Sequence, residues 1–580
     1  MKNRRPPPSS DYEVLHANEG DQYVSPMKAP RSELDPLQVD AAEVEDYGSE
    51  SGSRDQSDAR ASRTDEKSHN AAGLRELCNQ FGYKLLVMLF VTQHCAKGFV
   101  MAFTMPCVSF IYKQYNVPGP QAQIFGGVTQ LPWAMKPVIG LVSDAFPMYG
   151  FNKAPYISLT SLMGVMACAT IAVVPKEHLS LTHLVMCLFL MSLQGSTSDL
   201  LTEAKYAEKM REKPAYGPAL MTYVWFGLNA GGLVATAAVG PTLGHFGPRA
   251  PFLLSILPLS LVFVPLMKNF LEESPQSSEQ QLEMRRKLLE QKEACGLCVL
   301  MFFGTVLMTF LGIQYESAWI NASASLAVAA VMLVAFSIVL KPIIAKVNAF
   351  FLIQTSVGIS INGAAFYFYT DTPEQFPEGP HFSQEFFTSV LGMLSAVCAL
   401  VGVYTYQHHA SMWTYRGLLM ASNLALSFFS LSDLILFKRL NVRMGLPDTA
   451  FVMGASVLTS VIWQWQWMPG VVIMSQLCPH GMEATMYALL AGCHNLGNTV
   501  AANLGALVLE VLNCQPSGQA NESAQFEHLW VASLISTVMP TLTLVLLPWL
   551  IPDAKQTDKI LHDDDRDATQ GSLLRRWLGA

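Results

Sequence analysis

Charge is scarce in this chain. Only 14% of its 580 residues are Asp, Glu, Lys or Arg, whereas 51% are hydrophobic. Soluble domains are usually about 25% charged, so this composition predicts a polytopic membrane protein that has the lipid bilayer as its partner. The formal net charge of −8 comes largely from the two tails. Because a basic excess is missing, we expect no nucleic acid among the partners.

Residue spacings typical of catalytic and metal sites are also missing. No nucleophile–base pair, phosphate-binding loop or metal-ligand spacing occurs, so we expect neither an enzyme nor a cofactor or metal. The eleven cysteines are scattered, and the close pair Cys295 and Cys298 has no second pair or histidine cluster beside it, which indicates helix packing. We expect no cleavable signal peptide, because the first apolar run begins about eighty residues along the chain.

Long apolar runs are plentiful. We count fourteen, each near or above the ~20 residues that cross a bilayer as a helix. The predicted fold class is therefore an all-α polytopic membrane protein with two six-helix bundles, and with two extra helices between them unless only twelve runs span. We predict a disordered cytoplasmic N-terminal tail (1–74), an N-terminal six-helix bundle (75–270), a cytoplasmic charged linker (271–295), an extra helix pair (296–346), a C-terminal six-helix bundle (347–551) and a cytoplasmic C-terminal tail (552–580).

The distribution of polar residues predicts the topology. Residues 347–551 repeat the order of features in residues 82–269, which is typical of a parallel repeat of six helices. Basic residues are more frequent in the loops on the N-terminal side of the membrane, so we expect both termini in the cytoplasm. The sequons at Asn321 and Asn521 then both lie outside, and we expect glycosylation there.

The loop between the second and third runs carries the most specific pattern. Residues 132–156 read PWAMKPVIGLVSDAFPMYGFNKAPY. We expect the Asp144 carboxylate to accept hydrogen bonds from the N-terminus of the following helix, with the positive charge of Lys153 nearby. Such a loop can hold two bundles together in one conformation and release them in another, so both residues are gating candidates.

This pattern resembles that of a known family. Gly140 and Asp144 resemble the Gly-x-x-x-Asp loop of major facilitator superfamily transporters, and the string Pro-Trp-x-x-Lys-Pro-x-x-Gly-x-x-Ser-Asp-x-x-Pro resembles the folate-biopterin transporters of trypanosomatid parasites. The stretch SDLLTEAKY, residues 198–206, is similar to the same family. The resemblance implies a plasma-membrane carrier that imports folate or pteridines by alternating access and is coupled to protons. S-adenosylmethionine transport is the alternative within the family, and a non-transporting membrane sensor is the alternative from another class.

Lys97 is the first candidate for a substrate site. It lies near the middle of the first run, about 20 Å from either surface if the run is helical, which is too far for a lysine to snorkel. Gln93 lies one turn earlier on the same face. We expect both side chains to bind substrate; the alternative is a lysine that a buried acid neutralises.

Two carboxylates four residues apart, Asp199 and Glu203, are candidates for coupling. On one face of a helix they repel each other, which favours protonation of one of them unless a cation intervenes. The same residues could instead form an inner gate with Lys136 or Arg416, so all four are coupling or gating candidates. Glu483 joins them, because it occupies the place of Glu203 in the second repeat.

The sequence WQWQW, residues 463–467, stands within a single apolar run. A flat heteroaromatic substrate could stack on Trp463 and Trp467, which share a helix face, while an amide such as that of Gln464 binds the edge of its ring. The alternative is that these tryptophans face lipid. Asn495, in the following run, is a further candidate for substrate binding, and we expect the carrier to be a monomer.

Overall fold

The computed structural model describes residues 73–478, 483–561 and 567–578, and all regular secondary structure in these ranges is helical. The predicted disordered tail lies outside the described residues except for residues 73 and 74, which begin a short helix over 73–81. Within the described ranges the fold class predicted from the sequence is confirmed.

In the described part of the first half, seven main helices follow the short helix over 73–81. The helices are α1 (Tyr83–Gln114), α2 (Gly119–Ala134), α3 (Lys136–Ala145), α4 (Ala154–Val173), α5 (Leu181–Glu212), α6 (Gly217–Phe246) and α7 (Ala250–Met267). Helices α2 and α3 form one span that is interrupted at Met135. Pro132 and Pro137 flank this point, and neither can donate a backbone hydrogen bond to continue the helix.

The second half begins with a short polar helix. Its N-terminus has a capping box, in which Ser277 and Gln280 each accept a hydrogen bond from the other's backbone amide through their side chains. The helices are α8 (Ser278–Glu290), α9 (Lys292–Gln314), α10 (Ala318–Val339), α11 (Pro342–Ser356), α12 (Asn362–Thr370), α13 (Phe386–Ala410), α14 (Tyr415–Phe437), α15 (Asp448–Gln476), α16 (Glu483–Val511), α17 (Ser523–Leu550) and α18 (Leu573–Leu578).

Ten helices among the described residues are long and apolar enough to cross a membrane. Four further elements have a similar length: the interrupted spans α2–α3 and α11–α12, and the 29-residue helices α15 and α16, which carry several polar side chains. Together these elements correspond to the fourteen apolar runs, and whether twelve or fourteen of them cross the membrane stays a prediction. The division into domains at the predicted boundaries stays a prediction.

The two halves meet along a seam between α2 and α16. A Cβ atom on Gly127 would lie 3.2 Å from the Thr499 side chain, and one on Gly492 would lie 3.0 Å from the Ala134 carbonyl oxygen. The extra pair packs on this seam, with α9 against α2 and α10 against α16. One apolar cluster accordingly combines side chains from both halves and from the pair, among them Trp133, Met301 and Leu490.

The helices end at two faces, which we call the Gly119 end and the Asp144 end after residues that lie there. Asn321 and Asn521 both lie at the Gly119 end, since α10 begins beside Glu510 and the loop after α16 reaches Gly119. The Asn321 side chain is only 3% exposed, and its Nδ2 donates to the carbonyls of Tyr315 and Ser317. A glycan would be bonded to that nitrogen, which this fold buries and pairs with two carbonyls, so the fold disfavours glycosylation at Asn321, and the call stays a prediction. Asn521 is exposed and stays a prediction.

Candidate functional site

Three buried ionisable side chains meet in the N-terminal half. Lys97 Nζ on α1 lies 2.9 Å from Asp199 Oδ1 on α5, and Lys136 Nζ at the start of α3 lies 2.7 Å from Asp199 Oδ2. All three residues are at most 5% exposed. One carboxylate therefore holds two ammonium groups, and we call this cluster the lysine–aspartate triad.

Irregular helix geometry brings the triad together. Lys97 lies in a π-helical segment of α1 (Phe90–Met101), and such wider turns are frequent at functional sites. Lys136 directly follows the interruption at Met135. The neighbouring Gly98 allows α1 and α6 to pack closely, since a Cβ atom there would lie 2.5 Å from the Leu228 carbonyl oxygen.

Two indole rings border the triad. Lys136 Nζ lies 4.7 Å from the ring centroid of Trp133, and Lys97 Nζ lies 5.9 Å from the centroids of both Trp133 and Trp225. The Trp133 Nε1 donates to Ser192 Oγ at 3.1 Å, which orients the ring. Sequence reasoning missed both tryptophans as site residues. A signal was available for Trp133, because it stands three residues before Lys136 within the quoted pattern.

The structure decides among the alternatives for the charged candidates. The expected pair between Lys136 and one of these carboxylates is present, because Lys136 is buried and contacts Asp199. The alternative pair between Arg416 and these carboxylates is wrong for this conformation, since Arg416 donates to the carbonyls of Pro548 and Ile551 at the end of α17. Glu203 is buried one turn from Asp199 on α5.

Gln93 lies close to this cluster along α1. It is 1% exposed, and its Nε2 has no hydrogen-bond partner among the described residues. A buried amide donor without a partner costs free energy of about 1–3 kcal/mol. Because Gln93 lies one turn from Lys97, a ligand bound at the triad could supply the acceptor that its Nε2 lacks.

The predicted latch loop is built differently from the expectation. The backbone amides of Lys153 and Ala154 at the start of α4 donate to Glu273, at 3.0 and 2.9 Å. Glu273, which follows α7, is thus the acid at this helix N-terminus, and the expectation that Asp144 caps the helix is wrong. Lys153 stands at the N-cap position of α4. A gating role of either residue stays a prediction.

Aromatic and amide side chains fill the interior of the C-terminal half. The rings of Trp463 and Trp467 are stacked, with centroids 5.7 Å apart and an interplanar angle of 10°. Trp467 also contacts the His494 ring at 5.1 Å, and His494 Nδ1 lies 3.0 Å from Thr355 Oγ1. The pair is thus packed against α16, and the lipid-facing alternative does not describe Trp467.

The remaining amide candidates lie nearby. Gln464 is buried on the face of α15 that packs against Gly402 of α13, and its Oε1 has no partner among the described residues. Asn495 is 3% exposed, and both of its amide atoms lack a hydrogen-bond partner in the part of the chain that the structure describes. Glu483 begins α16, but its side chain lies outside the described residues.

An amide network in the same half was missed from the sequence. Asn423 Oδ1 accepts from Gln354 Nε2 and from Gln466 Nε2, both at 2.8 Å. The three residues stand on α14, α11 and α15. Because they lie far apart in the sequence, no local pattern indicated that their side chains meet. The network holds three helices of the C-terminal bundle together without any charge.

A comparison with protein families matches residues 96–570 to the BT1 family. This match covers most of the chain. The protein belongs to the BT1 family.

The curated relatives that this chain matches are named as transporters. This BT1-family chain is 26% identical to the "Probable folate-biopterin transporter 2" of Arabidopsis thaliana, over 79% of this chain and 82% of that protein. It is 26% identical to the "Folate-biopterin transporter" of Synechocystis sp., over 85% and 86%. It is 20% identical to "Folate transporter 1" of Plasmodium falciparum, over 81% and 79%. We therefore regard the chain as a membrane transporter and not as an enzyme.

Solved structures show the same fold at low identity. A POT family peptide transporter in complex with sulfate aligns with a TM-score of 0.56 and 14% identity, over 82% of this chain and 96% of that one. A D-xylose–proton symporter aligns with a TM-score of 0.52 and 12% identity, over 82% and 99%. The BT1-family chain thus has the major facilitator-type fold that the Gly-x-x-x-Asp resemblance implied.

The two halves of the transporter are tightly closed at the Gly119 end. Gln123 of α2 donates to the carbonyls of Ser360 and Ala502, both at 2.7 Å, and accepts from the Gly363 amide. A Cβ atom on Gly363 would lie 2.1 Å from the Gly119 carbonyl oxygen, so the backbones are in direct contact. Gln123 thus satisfies the backbone at the interruption between α11 and α12.

An ion pair reinforces this closure. Lys113 of α1 lies 2.7 Å from Asp371, which follows α12, and Lys113 also donates to the Thr370 carbonyl. Asp371 is fully buried. Burial raises the pKa of Asp371 to about 6, against the opposing effect of Lys113. Sequence reasoning did not identify this contact, because its two partners lie more than 250 residues apart.

Proposed function

We propose that this transporter moves folate or a related pteridine across the membrane by alternating access, and that a proton accompanies the substrate. The observation that carries the proposal is the lysine–aspartate triad, in which two buried ammonium groups share one carboxylate. The names of the relatives supply the class of substrate.

The charge of the triad suits an anionic solute. Each lysine within a membrane span costs about 2.5–3.5 kcal/mol on insertion scales, so a helix that carries one needs a compensating interaction. When Glu203 is protonated, Asp199 compensates only one positive charge of the two. The glutamate tail of folate would supply the second carboxylate. S-adenosylmethionine carries a sulfonium cation, which the same lysines disfavour.

Glu203 provides a route to proton coupling. When both Asp199 and Glu203 are ionised, the two carboxylates balance Lys97 and Lys136. A proton on Glu203 leaves one excess positive charge, which then attracts the substrate carboxylate. Proton and anion would thus be bound together and released together.

Closure at one end supports alternating access. The contacts of Gln123, Lys113 and Gly363 join the two halves at the Gly119 end. Because basic residues are more frequent in loops at the opposite end, we place the Asp144 end and both termini in the cytoplasm. We further propose a monomer in the plasma membrane, closed to the outside in this conformation.

Counterflow in proteoliposomes tests the proposal. Vesicles that contain the purified protein are loaded with unlabelled folate, biopterin or S-adenosylmethionine, and entry of the labelled compound is followed. We expect exchange of folate and biopterin, and faster folate entry when the outside is acidified. Binding without exchange would indicate a sensor, and exchange of S-adenosylmethionine alone would overturn the substrate assignment.

A further inference from the structure

Asn495 is a buried amide that the fold leaves without a partner. Its side chain is 3% exposed, and neither Oδ1 nor Nδ2 has a hydrogen-bond partner among the described residues. An unpaired buried amide is costly, and such groups are rare in folded proteins. A ligand that forms the missing hydrogen bonds would explain why such a residue is present.

The neighbours of Asn495 place it on the seam between the two halves. Gly492 and Thr499 stand three residues before and four residues after it, so all three share one face of α16. Both neighbours contact α2: a Cβ on Gly492 would lie 3.0 Å from the Ala134 carbonyl oxygen, and Thr499 Oγ1 donates to the Gly127 carbonyl at 3.3 Å. Asn495 therefore faces α2, level with Leu131.

The lysine–aspartate triad lies about one and a half helical turns further towards the Asp144 end. Lys136 follows Leu131 by five residues, which corresponds to about 8 Å along a helix axis. On the other side, His494 precedes Asn495 and contacts Trp467 of the stacked pair. The unpartnered amide thus stands between the charged cluster of one half and the aromatic pair of the other.

We propose that Asn495 is a specificity-determining residue whose amide binds the lactam edge of the transported pteridine. This inference rests on the proposed function. A pterin ring presents N3–H and C4=O side by side, and a carboxamide can accept from the first and donate to the second. The same two atoms that lack a partner in the protein are then satisfied together. The ring lies on the C-terminal side of the seam, and the tail carboxylate points to Lys97 and Lys136.

The variant Asn495→Leu separates this role from a structural one. Leucine has a similar volume and no polar atoms, so it removes two unpaired groups from a buried seam. Replacing an unsatisfied buried amide by an apolar group is neutral or stabilising. We therefore expect the ligand-free melting temperature of the purified protein to stay the same or rise. A residue that supports the fold through hydrogen bonds would give the opposite result.

Ligand binding should change in the other direction. Losing two hydrogen bonds to the ring edge is expected to weaken biopterin binding about 10- to 100-fold, measured as the ligand-induced shift in melting temperature and as the half-saturation concentration of counterflow. Biopterin is the probe because it has no glutamate tail. An N3-methylated pterin, in which the lactam edge is blocked, should bind wild type and Asn495→Leu equally weakly.

Asn348→Leu is the matched control. Asn348 is buried to a similar extent, but its Nδ2 has a protein partner in Cys493 Sγ at 3.6 Å. This variant should lose thermal stability and keep wild-type affinity for biopterin.

Three results would overturn the inference: wild-type biopterin affinity in Asn495→Leu, a ligand-free loss of stability in that variant, or an undiminished preference for the unmethylated ring. If the wild-type protein neither binds nor exchanges any pteridine, the proposed function itself fails.

Discussion

The membrane-spanning helices of the N-terminal half bury a cluster of ionisable side chains, whereas those of the C-terminal half, as far as the structure describes them, bury amides and aromatic rings. Lys97, Lys136, Asp199 and Glu203 are all buried in the first six spans. In the helices α11–α17, as far as the structure describes them, no buried Asp, Glu, Lys or Arg occurs. Asn423, Gln464 and Asn495 occupy comparable interior positions there.

This difference assigns separate tasks to two bundles of similar architecture. A buried ion cluster responds to protons and to anions, because each changes its net charge. A neutral amide and indole surface responds to shape and to hydrogen-bond pattern, and it is insensitive to pH. We infer that the first half couples and binds the charged tail, while the second half selects the ring. The predictions below test this division, beginning with the largest expected effect.

The first prediction compares the stability of the two interiors. Asp199→Asn leaves two buried ammonium groups without their carboxylate, which should cost about 3–5 kcal/mol. In the C-terminal half, Asn423→Leu removes one acceptor from two amides and should cost about 1–3 kcal/mol. Yields of monodisperse protein and melting temperatures measure both. The triple variant Lys97→Met, Lys136→Met, Asp199→Asn has no buried charge in the triad and should recover stability without transport. Equal losses in the two single variants would break the comparison.

The second prediction concerns substrate preference. Lys97→Met leaves the pair of Lys136 and Asp199 intact, so the fold should persist. Folate uptake should fall about 10- to 150-fold, because a charge-assisted hydrogen bond to the tail is lost, and biopterin uptake should fall less. Trp467→Leu should instead reduce uptake of both compounds to the same extent, because both carry the ring. The ratio of folate to biopterin uptake in each variant is the measurement. If Lys97→Met reduced both equally, the triad would serve structure or coupling and not tail binding.

The third prediction tests whether the halves move as two bodies. Gly363→Ala places a methyl group 2.1 Å from the Gly119 carbonyl oxygen, so the Gly119 end should no longer close. Overpacking of about 1–3 kcal/mol would shift the conformational equilibrium about 5- to 150-fold. A cysteine introduced into the interior between the two halves should become more accessible from that end, and exchange should slow. Gly126→Ala on α2 is the control, because a Cβ there meets no atom within 4 Å. Normal exchange in Gly363→Ala would contradict the closure.

The smallest effect is expected from pH at the Gly119 end. Burial raises the pKa of Asp371 to about 6, from an ordinary value of 3.8, in the presence of Lys113, His381 and Glu522. If opening exposes Asp371, the closed state binds a proton more tightly than the open state. Acid therefore favours closure: the added stability is complete below about pH 4 and is lost as pH rises through about 6.

Linkage through one proton limits this effect to at most about tenfold per pH unit. Accessibility of the same introduced cysteine between pH 7 and pH 5 measures it. Asp371→Asn should be insensitive to pH over this range. An unchanged pH response in Asp371→Asn would show that another group titrates.

The outcomes for individual residues show how far the sequence leads. Lys97 was identified as functional because a mid-span lysine is costly in any bilayer, whatever its neighbours are. Its partner was open between a substrate and an acid, because a contact across 102 residues leaves no periodic signal. Asp144 was expected to accept hydrogen bonds from the N-terminus of α4, because it is the acid nearest to that helix in the sequence. In the structure Glu273 accepts them instead. Glu273 reaches the same helix from 120 residues away.

Asn321 shows the same limit for modification sites. A sequon depends on three consecutive residues and is visible in any sequence. Whether its nitrogen is accessible depends on where the helix begins. Here α10 begins at Ala318, so Asn321 lies within its first turn and its amide completes the backbone there.

The sequence by itself determined that this protein lies in a lipid bilayer and that its architecture is helical. Fourteen apolar runs and few charges are properties of composition and length, and a bilayer leaves helices as the only way for such runs to satisfy their backbone. The tertiary structure alone decided which polar groups meet: the triad of Lys97, Lys136 and Asp199, the Asn423 network, and the isolated amide of Asn495. The reason is physical. Periodicity specifies the apolar face of each helix, whereas the partner of a buried polar group depends on the rotation and depth of another helix far away in the chain.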